Sequence, residues 1–280
     1  MTPRELIRRA AASLARAGVP DPMIDASLLL AHVTGRPALE LRLDMDTDLS
    51  AEALTAFDAL CARRMRRVPL QYLTHEQDFL GRTFYVDERV LIPRPETGLL
   101  AERAIDALRS VPDDQAAALD LCCGSGCLCV SLALACPQAM VHGADLSPDA
   151  LAVSRRNADA LGAQVVFHQG DLFDAVAGLR FDVIVSNPPY IPRADCEELQ
   201  AEVLLEPHMA LDGGADGLDF YRRIALHAHE HLNPGGTVLL EVGYDQGETV
   251  RDMMASAGFV FTAVHPDLAG IPRMVEAHLP

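Results

Sequence analysis

The stretch that decides the fold is Leu119 to Gly126, LDLCCGSG. An apolar run enters a turn with two glycines and passes into helix-forming residues, the pattern of a strand that ends at a ligand site in a doubly wound sheet. Gly124 and Gly126 let the backbone approach a ligand closely, and the helix that follows offers free N–H groups at its start. The same turn is also compatible with tight packing alone. A dinucleotide fingerprint needs a third glycine where Cys129 stands, so hydride-transfer chemistry loses ground.

Outward from this turn, apolar segments alternate with helical ones. AALDL from Ala117 is followed by a helix to Cys136, then MVHGA, a helix from Pro148, QVVFH, FDVIVS and later TVLLEV. That rhythm predicts an α/β fold, a doubly wound and mostly parallel sheet covered on both faces. Upstream the pattern is helical. Thr2, Pro3 and Glu5 form a capping-box start, Leu6, Ile7, Ala10, Leu14 and Ala17 recur at helical spacing, and Gly18 and Pro20 stop the helix. Two more helices are predicted over 22–34 and 50–66. Between the two regions, strand-like runs (QYLT, RTFYV, RVLI) broken at Gly81 and Asp87 suggest a hairpin. The expected division is a helical bundle over 1–70, a β-hairpin link over 71–92 and the sheet domain over 93–280.

Composition excludes several function classes. The chain carries 23 Lys and Arg against 40 Asp and Glu, a net charge of −17 that repels a polyphosphate backbone, so direct nucleic-acid binding is not expected. No run approaches the roughly 20 apolar residues of a membrane span, and MTPRELIRRA lacks a signal-peptide core, so no membrane association and a cytoplasmic location are expected. The seven cysteines are odd in number, without paired C-x-x-C spacing, and read as reduced, buried small residues with no metal. His227 and His231, placed to share a helix face near its end, lack a third ligand. Arg63, Arg64, Arg66 and Arg67 read as a solvated face, or else as a patch for a partner protein or ribosomal RNA.

The candidate site residues follow successive strands. Asp145 stands where a carboxylate accepts from both ribose hydroxyls of a nucleoside; its competing role as a helix cap is better filled by Ser147. Asp171, in QGDLF, is either an acceptor for an adenine amino group, with Leu172 and Phe173 near the ring, or an ordinary loop carboxylate. After the next strand come Asn187, Pro188, Pro189 and Tyr190, more specific than a strand-ending proline pair. An amide or aryl amine nitrogen is a poor nucleophile because its lone pair is delocalised. The Asn187 side-chain oxygen and the Pro188 carbonyl can accept both hydrogens of a target NH₂ and stabilise the positive charge that develops, while Tyr190 packs on the planar group.

With these residues the chain resembles the release-factor glutamine methyltransferases, within the class I S-adenosylmethionine-dependent methyltransferases. The resemblance is carried by PLQYLTHEQDF (Pro69 to Phe79), VLIPRPET (Val90 to Thr97), SNPPYIP (Ser186 to Pro192), EPHMALDGGADGLDFYRRI (Glu206 to Ile224) and LEVGYDQGE (Leu240 to Glu248). It implies S-adenosylmethionine as cofactor and a cofactor site drawn from Cys122, Cys123, Gly124, Ser125, Gly126, Asp145, Asp171, Leu172 and Asn187. Asn187, Pro188, Pro189 and Tyr190 would bind the substrate amide, with Asn187 and Pro188 catalytic. Cys122 and Cys123 depart from the family's usual residues before GSG, but both are small. The implied partners are peptide-chain release factors, methylated at the glutamine of Gly-Gly-Gln and gripped by the helical domain. A glutamine of a ribosomal protein, an adenine amino group of DNA, and nucleoside binding without catalysis are the competing readings.

Overall fold

The computed structural model describes residues 1–112 and 116–280. The chain divides into two compact units, Met1–Glu76 with Gln200–Leu205, and Gln77–Leu199 with Glu206–Pro280. This differs from the division read from the sequence: the break falls inside the 71–92 span, and a short segment from within 93–280 belongs with the N-terminal helices.

The first unit contains α1 (Pro3–Arg16), α2 (Pro22–Thr34), α3 (Ala38–Leu43), α4 (Ala51–Met65) and α5 (Leu70–Thr74). Thr2 and Glu5 close a reciprocal capping box at the start of α1, satisfying donors that the first turn leaves free. Leu6, Ile7 and Leu14 of α1, Leu29 and Leu30 of α2, Leu41 of α3 and Phe57 of α4 form one apolar core. QYLT, expected as strand, lies in α5. Pro69 stands before its first turn, Tyr72 and Leu73 are buried, and His75 ends it in the left-handed conformation.

The basic run near the end of α4 is not a uniformly solvated face. Arg63 and Arg66 are exposed, but Arg64 is buried. Arg64 Nε donates to Asp25 at 2.7 Å, and its Nη1 donates to Glu202 at 2.9 Å. Arg67 donates to both oxygens of the same Glu202. Glu202 thus ties Gln200–Leu205 to the helical unit.

The second unit opens with most of a hairpin, β1 (Glu76–Phe79) and β2 (Arg82–Tyr85), followed by α6 (Pro95–Ser110). RVLI, expected as strand, forms no strand among the described residues: Val90 and Ile92 are buried, and the Ile92 N–H goes to the Glu206 side chain at 3.0 Å. The alternation then runs β3 (Ala117–Leu121), α7 (Cys127–Ala135), β4 (Met140–Asp145), α8 (Pro148–Leu161), β5 (Val165–Gln169), β6 (Phe181–Ser186), α9 (Asp219–His227), β7 (Leu232–Glu241), α10 (Gly247–Ser256), β8 (Phe261–Pro266) and β9 (Pro272–His278). The sheet order is β5-β4-β3-β6-β7-β9-β8. The pairs from β5 to β7 are parallel, and β9 runs antiparallel to both β7 and β8. Successive residues feed opposite faces, as the pleat requires. Ala118, Val183 and Leu239 pack under α6, α7 and α8, while Leu119, Ile184 and Leu240 pack under α9 and α10. Because strand order reverses between β3 and β6, their carboxyl ends open a crevice where a ligand fits.

The expected histidine pair is not one face of a helix. α9 ends at His227, and His231 is buried, stacked on Phe173 at 4.7 Å with its Nδ1 bonded to the Leu179 carbonyl.

Replacing Arg64 with Ala leaves Asp25 and Glu202 short of their shared cation inside the fold, and is expected to cost about 3 to 5 kcal/mol. Burial raises the Asp25 pKa, so Asp25 can take up a proton when Arg64 is lost, and the penalty should shrink as pH falls. Urea titration followed by far-ultraviolet circular dichroism at pH 8 and pH 5 checks both statements.

Candidate active site

The turn after β3 is held by contacts that the glycines make possible. Gly126 takes the left-handed conformation as N-cap of α7, and a Cβ there would come within 3.1 to 3.3 Å of Ser154. A glycine N-cap has no side chain to satisfy the first amides of the helix. Asp120 supplies that acceptor from inside β3, its Oδ2 taking the Cys129 N–H at 3.0 Å. Burial raises the Asp120 carboxyl to about 7. Alternation alone hides this role, because Asp120 lies on the same buried face as Ala118.

β4 ends in Asp145, whose Oδ2 accepts from Gly124 N and Oδ1 from Ser147 N, each at 2.9 Å. Ser147 caps α8 through Ala150 N. Asp145 therefore braces the β3 turn against the start of α8, and burial raises its pKa.

A cavity of about 430 Å³ opens at these strand ends, within the usual ~300–1,000 Å³ of small-molecule sites. Cys122, Gly124, Asp145, Asp171, Leu172, Asn187 and Pro189 line it. Cys122 and Leu172 share positive φ values, 60° and 49°, a strained conformation for residues with a Cβ. Cys123, Ser125 and Gly126 are not on the cavity wall. Cys123 faces Ser154 at 3.6 Å, and the Ser125 carbonyl accepts from Asn157, so these positions build the turn behind the wall. Pro188 and Tyr190 also lie off the wall, with Tyr190 packed on the α9 side of the sheet. Asp171 is ion-paired with Arg223 at 2.8 Å, and both border the cavity.

Asn187 follows β6 directly. Its Nδ2 donates to the Thr97 hydroxyl of α6 at 3.3 Å. The loop after it is gripped by Gln246, whose Nε2 donates to the Tyr190 carbonyl at 2.8 Å and to the Gly217 carbonyl at 3.3 Å, while its Oε1 accepts from Gly243 N at 2.9 Å. Gly217 has to be glycine at this crossing: a Cβ would sit 2.3 Å from the Tyr190 oxygen. Glu206 ties the segment between β2 and α6 to the stretch before α9, taking Ile92 N at 3.0 Å and Arg94 Nη2 at 2.5 Å. Motif quotation picked out the segments holding Thr97, Glu206, Gly217 and Gln246 without giving these residues roles; only their partners, distant in sequence, reveal them.

Comparison with known proteins agrees with this architecture. Residues 5–74 match the model described as PrmC N-terminal domain, and residues 103–212 match Methyltransferase small domain. The chain is 46% identical over 269 residues to the release factor glutamine methyltransferase of Geobacter sulfurreducens, covering 95% of this chain and 93% of that one. It is 43% identical over 276 residues to the protein of the same name in Deinococcus radiodurans, covering 98% and 97%. The chain belongs to the release factor glutamine methyltransferase family. The T. thermophilus 16S rRNA N2 G1207 methyltransferase, solved with AdoMet and guanosine, shares the fold with a TM-score of 0.52 at 20% identity, over 73% of this chain and 50% of that one. In this family member the described residues contain no helix long and apolar enough to cross a membrane and no group of three or more His, Cys, Asp or Glu able to hold a metal ion.

Asp120→Ala should cost about 1 to 2 kcal/mol through the lost α7 cap, whereas Asp120→Asn retains an acceptor oxygen. Since the folded pKa is raised above the unfolded value, the stability tied to the protonated carboxyl is present in acid and lost as pH rises through about 7. Melting temperatures of the Asn variant should therefore exceed those of the parent by more at pH 8 than at pH 6.

Proposed function

We propose that this chain transfers a methyl group from S-adenosylmethionine to the side-chain amide nitrogen of the glutamine in the Gly-Gly-Gln motif of peptide-chain release factors. The observation that carries this reading is the setting of Asn187, which shares one cavity with the Asp145 carboxylate while its own NH₂ is engaged by Thr97. The amide oxygen of Asn187 is thereby left to accept from a substrate.

S-adenosylmethionine supplies a methyl carbon on a positively charged sulfur, already joined to a good leaving group. The protein's residues bind and orient. Each Asp145 oxygen takes one backbone N–H and retains a second lone-pair direction, so both ribose hydroxyls can be accepted without breaking the brace. Cys122 and Gly124 border the same space at the β3 end, and Leu172 offers an apolar surface to the adenine. Asp171 either accepts from the adenine amino group with its second oxygen or serves only its pair with Arg223.

At the substrate, Asn187 Oδ1 on the cavity wall accepts one N–H hydrogen of the glutamine amide, and the Pro188 carbonyl, which lies off that wall, is assigned the other on the strength of the motif alone. They point the nitrogen at the methyl carbon and stabilise the positive charge that grows there. Tyr190 lies off the cavity wall and supports the loop that carries these acceptors. Burial, followed by the nearby Glu241 carboxyl, raises its phenol to about 12, so it stays neutral and takes no proton. The methylated nitrogen is far more acidic than the starting amide and releases its proton to water or a carbonyl acceptor, so no general base is required.

The named activity of the relatives supports a release factor as substrate, and a glutamine flanked by glycines extends into a narrow cavity at low steric cost. The helical unit would add contact area for the rest of the protein substrate.

Asn187→Ala is expected to lower single-turnover methylation by about 2 to 4 kcal/mol of transition-state stabilisation with cofactor affinity largely retained. Asp145→Ala is expected to weaken S-adenosylmethionine binding by about 1.5 to 3 kcal/mol per lost charged hydrogen bond, read by calorimetry. For the substrate, labelled cofactor is offered with release factor, ribosomal protein and duplex DNA in competition, and the product is mapped. Label on the Gly-Gly-Gln glutamine supports the proposal; label chiefly on ribosomal protein, on adenine, or elsewhere on the release factor overturns it.

A further inference from the structure

Gln246, just ahead of α10, is buried, and the whole polar end of its side chain is spent on backbone. Nε2 donates to the Tyr190 carbonyl at 2.8 Å and to the Gly217 carbonyl at 3.3 Å, and Oε1 accepts from Gly243 N at 2.9 Å. These partners fix the direction of the amide, because two carbonyls need donors and one N–H needs an acceptor. An ionised glutamate has no donor, a methionine has neither kind of group, and an asparagine is one carbon short. The amide also has no room to slide. A Cβ on Gly217 would lie 2.6 Å from Nε2, and one on Gly243 would lie 2.8 Å from Oε1.

The amide joins two strips that face the same cavity. Asn187 and Pro189 line it from one strip, and Pro207, Met209 and Asp212 line it from the other. The strips are zipped together where Ile191 N donates to the Leu211 carbonyl at 3.0 Å and Gly213 N to the Ile191 carbonyl at 2.8 Å. Tyr190 stands between this zipper and Asn187, with its carbonyl turned to Gln246.

We propose that Gln246 is a positioning residue for methyl transfer: its amide clamps the backbone at Tyr190 to the loop at Gly217, and so fixes where Asn187 presents its oxygen to the substrate nitrogen. The inference rests on the role given to Asn187 above. Between Asn187 and the clamped carbonyl lie Pro188 and Pro189, and each ring locks one φ at about −65°. So stiff a stretch passes a displacement at Tyr190 on to Asn187 instead of absorbing it. Transfer needs a near-attack geometry, in which about 1 Å of misplacement costs on the order of a hundredfold in rate. Asp145 is braced by Gly124 and Ser147 and shares no hydrogen bond with Gln246. Loss of the clamp therefore slows transfer and leaves the cofactor site intact.

The test is the single-turnover rate with saturating release factor, per cofactor-binding site counted by calorimetry, for the full-length chain, Gln246→Met and Gln246→Glu at pH 6 and pH 8. Gln246→Met, apolar and of similar length, should run about tenfold to a hundredfold below the parent at both pH values, with half-saturating release factor and S-adenosylmethionine affinity within about threefold. Gln246→Glu separates positioning from packing. Protonated, the acid keeps an O–H for the Tyr190 carbonyl and an oxygen for Gly243 N; ionised, it sets a negative charge against two carbonyl oxygens. Burial favours the protonated form at the lower pH. The rate of this variant relative to the parent should lie within about threefold at pH 6 and fall about tenfold further by pH 8. A relative rate that stays flat, a Glu variant that binds no cofactor at pH 6, or a loss of cofactor affinity as large as the loss of rate makes Gln246 a residue of the fold alone and overturns the inference. Asn187→Ala separates the two levels: normal turnover in that variant removes the reading of the site itself, whereas a dead Asn187→Ala beside Gln246→Met at the parental rate removes the role of Gln246 alone.

Discussion

The ends of β3 and β6 are joined by one short hydrogen bond, from Ser186 Oγ to the Leu121 carbonyl at 2.6 Å, with the two residues also paired in register. Immediately beyond it the chains part. One leads into Cys122 and the glycine turn, the other into Asn187 and the two prolines. A shift of one residue in this pairing would turn every side chain on β6 to the opposite face. It would also carry Asn187 out of reach of Thr97. The register of these two strands therefore sets the distance between the cofactor side and the substrate side of the cavity, and the buried apolar residues on both faces hold that register.

The sheet was legible in the sequence because long apolar runs in regular alternation with helices have few other solutions. Leu119 to Gly126 and the Asn187 segment were legible because turn chemistry restricts which residues stand there. Other features were not. QYLT carries the composition of a strand, yet Pro69 before it and the burial of Tyr72 and Leu73 make it a helical turn. Cys123 and Ser125 belong to the motif but face Ser154 and Asn157, since a loop that wraps a ligand has a concave side and a back, and a linear reading does not separate them. Gln246 could be quoted within a motif, but its partner Tyr190 lies far away along the chain. Position in sequence does not encode that meeting.

Two acidic side chains are sunk into this sheet with carboxyl groups raised to about 7, Asp120 and Glu241. Both hold one oxygen without a partner. A core built for stability alone would place an amide or an aliphatic group at each position, because burying a carboxyl with an unsatisfied oxygen costs free energy. Asp120 has a local justification in the α7 amide. For Glu241 no backbone amide plays that part, and its Oε2 is left without a partner.

The helical unit is entered twice by the polypeptide, once at the N-terminus and again through Gln200–Leu205, where Glu202 meets Arg64 and Arg67. Such a unit is not a detachable bead. A chimera that exchanged only residues 1–76 for those of a relative would inherit foreign arginines, or none, opposite a resident glutamate. An exchange of the helices that kept their ion pairs would have to carry two separate stretches together, residues 1–76 and the six residues 200–205.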